Sequence, residues 1–115
     1  MQHQAWETVK KEVLNEKLWR KVISGEKVMV AQLSLAKGCV VPVHRHESEQ
    51  ISCIVQGAMK FALEGRELTV HAGDVLVIPS NVPHSAEALE DSLALDVFSP
   101  IRQDWLSGTD SYLRK

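Results

Sequence analysis

Several things are scarce in this sequence, and each scarcity narrows the reading. Charge of one sign is missing: 13 Lys and Arg against 15 Asp and Glu give a formal net charge of −2. Phosphate backbones are gripped by clustered positive charge, so nucleic acid is not an expected partner. The one basic concentration, Lys10, Lys11, Lys17, Arg20 and Lys21, is interleaved with Glu12 and Glu16 and reads as a solvated face. Long hydrophobic runs are missing as well. Nothing approaches the roughly 18 consecutive apolar residues of a membrane span. The start, Met-Gln-His-Gln-Ala-Trp, also lacks the basic-then-apolar order of a secretory signal. The expectation is a cytoplasmic chain without a membrane partner. Cysteine is limited to Cys39 and Cys53, in apolar runs and without CxxC spacing, so two reduced, buried thiols are expected rather than a disulfide.

What is present suits one packed domain. A chain of 115 residues, 44% of them hydrophobic, is too short for two independent cores. There is no low-complexity segment, linker or repeat, so the domain is read as 1–115, with a core barrel over about 18–99. Trp6, Val9 and Val13 recur at roughly helical spacing and predict a short helix over 5–15. Short β-rich runs follow at 18–23, 28–36, 40–46, 50–56, 59–63, 67–70, 74–78, 84–87 and 92–98. Glycine-, proline- and asparagine-bearing turns separate them. Many short strands at close spacing predict an all-β sandwich or barrel. Met59, Phe61 and Leu63 alternate with Lys60 and Glu64, as one buried face requires. After Ser99-Pro100, residues 102–106 read as a short helix, with Trp105 and Leu106 available to cover one barrel end.

Three of the five histidines carry the chemistry. His44 and His46 are two apart in a β-rich run, so both rings project to one side, as adjacent coordination positions require. Gln50 follows the polar turn Glu47-Ser48-Glu49, and a tight hairpin would bring it back over the pair. His84, after Pro79-Ser80-Asn81-Val82-Pro83, is placed to reach the same spot from another strand. Alone, His-x-His often marks only a polar strand face. The wider spacing is more specific: Gly38-x5-His44-x-His46-x3-Gln50-x6-Gly57, then Gly73-x5-Pro79-x-Asn81-x2-His84. Over roughly 38–88 this resembles both halves of the cupin signature.

That resemblance implies a small jelly-roll β-barrel with short terminal helical segments and one divalent metal on His44, His46, Gln50 and His84. The sequence departs from the general pattern at three places. Gln50 stands where a glutamate ligand is usual, Asn81 replaces a glycine, and Ala88 replaces an asparagine. Asn81 tolerates left-handed backbone angles. With Gln50 the donor set is neutral, which leaves the ion its full double charge and weakens its retention. Nitrogen and oxygen ligands suit Ni, Zn, Fe, Mn or Co.

A second cluster lies near the C-terminus. By alternation Asp96 and Phe98 share a face, opposite Leu95 and Val97, and Arg102 follows the Ser-Pro turn. Lumen-facing, they offer a proton carrier, a packing ring and a two-pronged grip for a small acidic sugar. A structural Asp96–Arg102 ion pair at the strand end is the open alternative. Gln50 together with Asp96-x-Phe98-x3-Arg102 and Asp104-Trp105-Leu106 resembles the small pectin-degradation cupins that linearise unsaturated uronates. Trp6 and Arg20-Lys21-Val22-Ile23-Ser24-Gly25-Glu26 are similar to that family too. The resemblance implies conversion of 4,5-unsaturated uronate monosaccharides to the open-chain 5-keto form. Asp96 would be the acid/base, Arg102 the carboxylate grip and Phe98 a pocket wall. An Fe-dependent dioxygenase and a non-enzymatic sugar-binding or sensor module are the alternatives. Cupins of this size also suggest a homodimer, with 18–23 as the strand given to a neighbour's sheet. His3 and His71 are assigned to the surface.

Overall fold

The computed structural model describes residues 1–114. Ten strands form two facing sheets, a jelly-roll barrel. In chain order they are β1 (Glu12–Asn15), β2 (Leu18–Ser24), β3 (Met29–Leu35), β4 (Val40–His44), β5 (Glu49–Gln56), β6 (Ala58–Leu63), β7 (Arg66–His71), β8 (Val75–Ile78), β9 (His84–Ala88) and β10 (Ser92–Ser99). The larger sheet runs β1-β2-β3-β10-β5-β8 and the smaller β4-β9-β6-β7, every pairing antiparallel. A short helix α1 (Gln103–Ser107) and two 3-10 turns, Trp6–Thr8 and Ser111–Leu113, complete the described residues. Among them no helix is long and apolar enough to cross a membrane.

Two-residue alternation builds the core. Met29, Ala31, Leu33 and Leu35 of β3 point inward while Val30, Gln32 and Ser34 point out. Ile54, Phe61, Ile78 and Ala94 meet them from other strands. The chain changes sheets at Gly57, between β5 and β6, with φ of 88°. A Cβ there would lie 2.3 Å from Ser92 Oγ and 2.5 Å from the Asp91 carbonyl oxygen, so both the angle and the space demand glycine. Asn81 takes φ of 62°, the left-handed turn its residue type allows.

The N-terminal helix does not form. Only Trp6–Thr8 makes one 3-10 turn, and Glu12–Asn15 is a strand paired with β2. Val13 is 66% exposed and Leu14 buried, so the two-residue period wins over the helical spacing. Pairing to both β1 and β3 also removes residues 18–23 as a free edge strand. Arg20 departs from the solvated reading: it shares the inward parity of Leu18 and is fully buried. Of the C-terminal pair, Trp105 is buried but Leu106 is 51% exposed. Cys39 is buried, Cys53 is half-buried, and both are free thiols.

Gly57→Ala should lower the unfolding free energy by about 2–3 kcal/mol, from left-handed strain plus overpacking. Urea unfolding reads it, and an unchanged midpoint would show that the corner yields.

Candidate metal centre

Strand register brings the histidines together. His44 ends β4 directly opposite His84 at the start of β9, and their ring centroids are 4.3 Å apart. His46 lies two residues beyond β4, 5.5 Å from the His44 ring and 5.0 Å from the His84 ring. One ligand atom from each of the three lies within 4.8 Å of the others. Gln50 does not arrive by a hairpin: β4 and β5 belong to different sheets, and the chain between them crosses the barrel mouth. Gln50 therefore meets His46 from the facing wall.

Each imidazole is pinned from behind. Nδ1 of His44, His46 and His84 lies 2.8 Å from the carbonyl oxygens of Pro42, Ser48 and Val82 respectively. Carbonyls only accept, so each Nδ1 carries the proton and each Nε2 keeps its lone pair. Burial holds the His44 pKa at about 4, with His84, His46 and Arg102 adding to the depression. Burial does the same for His46, again about 4, with Arg102 next in weight. His84 is lowered by burial and then by Arg102. All three are neutral at pH 7.

His46 tests whether a cation fits. Its Nε2 lies 3.1 Å from Gln50 Oε1, so both ring nitrogens face carbonyl oxygens. A neutral ring has one N–H and satisfies one of them. Double protonation would satisfy both, but burial makes that form minor at neutral pH. A metal ion held by Nε2 and Oε1 would resolve the conflict, since each atom would then offer it a lone pair. His84 Nε2 is also buried without a partner. The residues present fit a divalent ion.

Asp96 stands across β10 from Ser52 of β5. Its residue surface still meets the cavity, but Oδ1 is enclosed and unpartnered. Burial pushes its carboxyl up to about 6, while the Ser52 hydroxyl and the Arg102 charge hold it lower than burial alone would. Phe98, 1% exposed, stands edge-on to His46 and Trp105. Arg102 does not pair with Asp96. Its Nε and Nη2 donate to Asp104 Oδ1 and Oδ2 at 3.0 and 2.8 Å, and its guanidinium lies over Phe98 and Trp105. Its Nη1 makes no hydrogen bond among the described residues, leaving two N–H groups for an anion.

Three participants escaped the sequence reading. Tyr112 stacks on His44 at 4.4 Å and accepts hydrogen bonds from Arg102 Nη2 and Trp105 Nε1. A lone tyrosine in an irregular tail carries no period that would have exposed it. Asp104 was noted only as part of a motif. Ser52 was legible in principle, as a polar residue with the inward parity of Gln50. His44, Gln50, His84, Asp96, Arg102 and Tyr112 line one cavity of about 50 Å³, room for about four waters.

The cupin domain family model matches residues 31–99. Among solved structures, KdgF from Halomonas sp. is 34% identical, with a TM-score of 0.80 over 86% of this chain and 94% of that one. An RmlC-like cupin from Shewanella frigidimarina is 27% identical, with a TM-score of 0.84 over 89% and 93%. Bacillus subtilis oxalate decarboxylase, a protein with Mn(II) centres, shares the fold at 19% identity and a TM-score of 0.77, over 90% of this chain and 33% of that one. No curated protein matches the chain.

The lowered histidine pKa values fix a pH dependence for the metal-free protein. Between about pH 6.5 and 4 the unfolded chain binds protons at His44 and His46 that the folded chain refuses, and the lowered His84 acts in the same direction, so stability falls as pH falls through that window. Asp96, raised to about 6, works in the opposite sense between about pH 6 and 3.8 but is one group against three. The urea midpoint should therefore drop from pH 7 to pH 4.5. Nickel affinity should stay flat from pH 8 to about 5.5, where exposed histidines would already be losing it. A decline beginning at pH 7 would contradict the burial argument.

Proposed function

Because the chain belongs to the cupin domain family, we propose that it is a metal-dependent enzyme that linearises 4,5-unsaturated uronate monosaccharides to the open-chain 5-keto form. The observation that carries this reading is a protonatable group near neutrality, Asp96, in one buried cavity with a wholly neutral donor set. The resemblance to uronate-linearising cupins and the similarity to KdgF over most of the chain support it.

His44, His46, Gln50 and His84 would hold a divalent ion, which when bound would supply Lewis acidity undiminished by any anionic ligand. The reaction is an isomerisation. The bond from the anomeric carbon to the ring oxygen breaks, the anomeric hydroxyl loses its proton as the carbonyl forms, and the released enolate takes a proton at C4. No electrons are exchanged, and the atoms balance with one proton carried from O1 to C4. Asp96 is that carrier. A carboxyl with a pKa of about 6 is partly ionised at neutral pH, as a group that must both take and give requires. The Nη1 N–H groups of Arg102 take the substrate carboxylate while Asp104 braces the rest of the guanidinium. Phe98 and Trp105 wall out water. A six-carbon sugar acid needs more room than a few waters, so Tyr112 moves off His44 on binding.

The test follows loss of ultraviolet absorbance from unsaturated galacturonate with protein loaded with Ni, Zn, Mn, Co or Fe. Rates above the spontaneous one are expected for at least one metal, with no oxygen consumed. A spontaneous rate from metal-loaded protein eliminates the activity, and oxygen uptake would turn the reading to a dioxygenase. Asp96→Asn should cost about 10²–10⁴ in kcat, the usual share of general acid–base catalysis, with metal content retained.

A further inference from the structure

Gln50 differs from the three histidines in how its donor atom is chosen. An amide has two ends of nearly equal shape, and only its oxygen can bind a cation. The histidine rings are set by backbone carbonyls, whereas the Gln50 amide is set by side chains alone. Ser52, two residues on in β5 and on the same inward face, is wholly buried. Its Oγ accepts from Gln50 Nε2 at 2.8 Å, and Asp96 Oδ2 receives a longer contact of 3.4 Å from the same nitrogen. Ser52 also stands opposite Asp96 across the strand pair, so the amide nitrogen lies between two oxygen acceptors. With the Gln50 N–H₂ donating to it, the Ser52 oxygen turns a lone pair to Gln50. Reversing the amide would set Oε1 against that lone pair and a carboxylate oxygen, and would point an N–H₂ group at the histidines.

We infer that Ser52 is a positioning residue for the metal centre: it holds the Gln50 amide so that oxygen, not nitrogen, faces His46. It thereby sets metal affinity without touching the ion. This rests on the metal-site part of the proposed function and is independent of the sugar chemistry.

The experiment titrates chelator-stripped protein with Ni(II) against a chromophoric competitor. Ser52→Ala should weaken affinity about 10–100-fold, the usual cost of losing a group that orients a ligand. Thermal unfolding of the stripped proteins should change little. A purely structural serine would lower thermal stability and affinity together whatever stands at 50. The decisive arm repeats the substitution in a Gln50→Glu background, where the carboxylate offers two equivalent oxygens and nothing needs orienting. There Ser52→Ala should cost less than about threefold, so the two changes are strongly non-additive. Should the alanine variant be unstable, Ser52→Cys keeps the shape with a poor acceptor and should show the same dependence on residue 50. Equal losses in both backgrounds, or no loss in the Gln50 background, would overturn the assignment. Wild-type protein that takes up no Ni(II), Zn(II) or Mn(II) would sink the metal reading and this inference with it.

Discussion

His46 Nε2 and Gln50 Oε1 stand 3.1 Å apart where the sheets meet, while the other ring nitrogen of His46 faces the Ser48 carbonyl, so one proton cannot serve both oxygens. Much of the rest of the site follows from that contact. Left without a cation one oxygen goes unserved, and the fold keeps the contact because both partners are held elsewhere. His46 is tied to the Ser48 carbonyl and Gln50 to Ser52 and Asp96. One comes from the end of the smaller sheet and the other from the inner face of the larger. The barrel closure that brings Phe61 and Ile54 into one core therefore also sets the separation of these two donors. Strain of this kind is a common mark of a functional site.

The charges around that contact are arranged so that none of the donors needs one. Arg102, almost wholly buried, pushes the histidines toward neutrality and is itself balanced by Asp104. Its charge also resists protonation of Asp96, which burial promotes. The carboxyl is left with a pKa of about 6, close enough to neutrality that both of its forms are accessible. A divalent ion beside it adds positive charge and draws that pKa lower still, so the Ser52 contact and the ion act in the same sense. Replacing the usual glutamate by Gln50 removes an anion from this balance. A second carboxylate beside Asp96 would have pushed its pKa up and kept it protonated.

The barrel was legible because period-two alternation is a strong local signal, and nine runs from residue 18 onward correspond to strands within one or two residues. The same signal placed Asp96 and Phe98 toward the lumen. It failed where a second period competed: Trp6, Val9 and Val13 mimic a helix, yet β1 is held by pairing with β2, a long-range gain that local spacing does not register. It failed for Arg20 because a charged residue reads as solvated until its partners are known. Those partners, Glu12 and Asp110, come from opposite ends of the chain. Arg102 shows the same limit. Its motif placed it at the mouth, but the choice between Asp96 and Asp104 depended on where α1 begins.

The distant ends of the chain explain how the mouth is roofed. Arg20 Nη1 meets Asp110 Oδ2 at 2.6 Å with both side chains fully buried, and its guanidinium lies 4.2 Å from the Trp105 ring centroid. Arg114 bridges Asp110 and Glu12, and Asn15 donates to the Leu113 carbonyl. Removing one member of such a buried pair strands the other, at a cost of about 3–5 kcal/mol. The tail is thus bound to the β1–β2 hairpin on one side, while Tyr112 rests on His44 on the other. The charged anchors lie on the hairpin side, while over the site the tail offers the Tyr112 ring and the buried Leu113. Asp110 is thus held by buried charge, while Tyr112 meets the site through a ring stack on His44 and a hydroxyl shared by Arg102 and Trp105, so the tail is tied far more firmly to the hairpin than to the mouth.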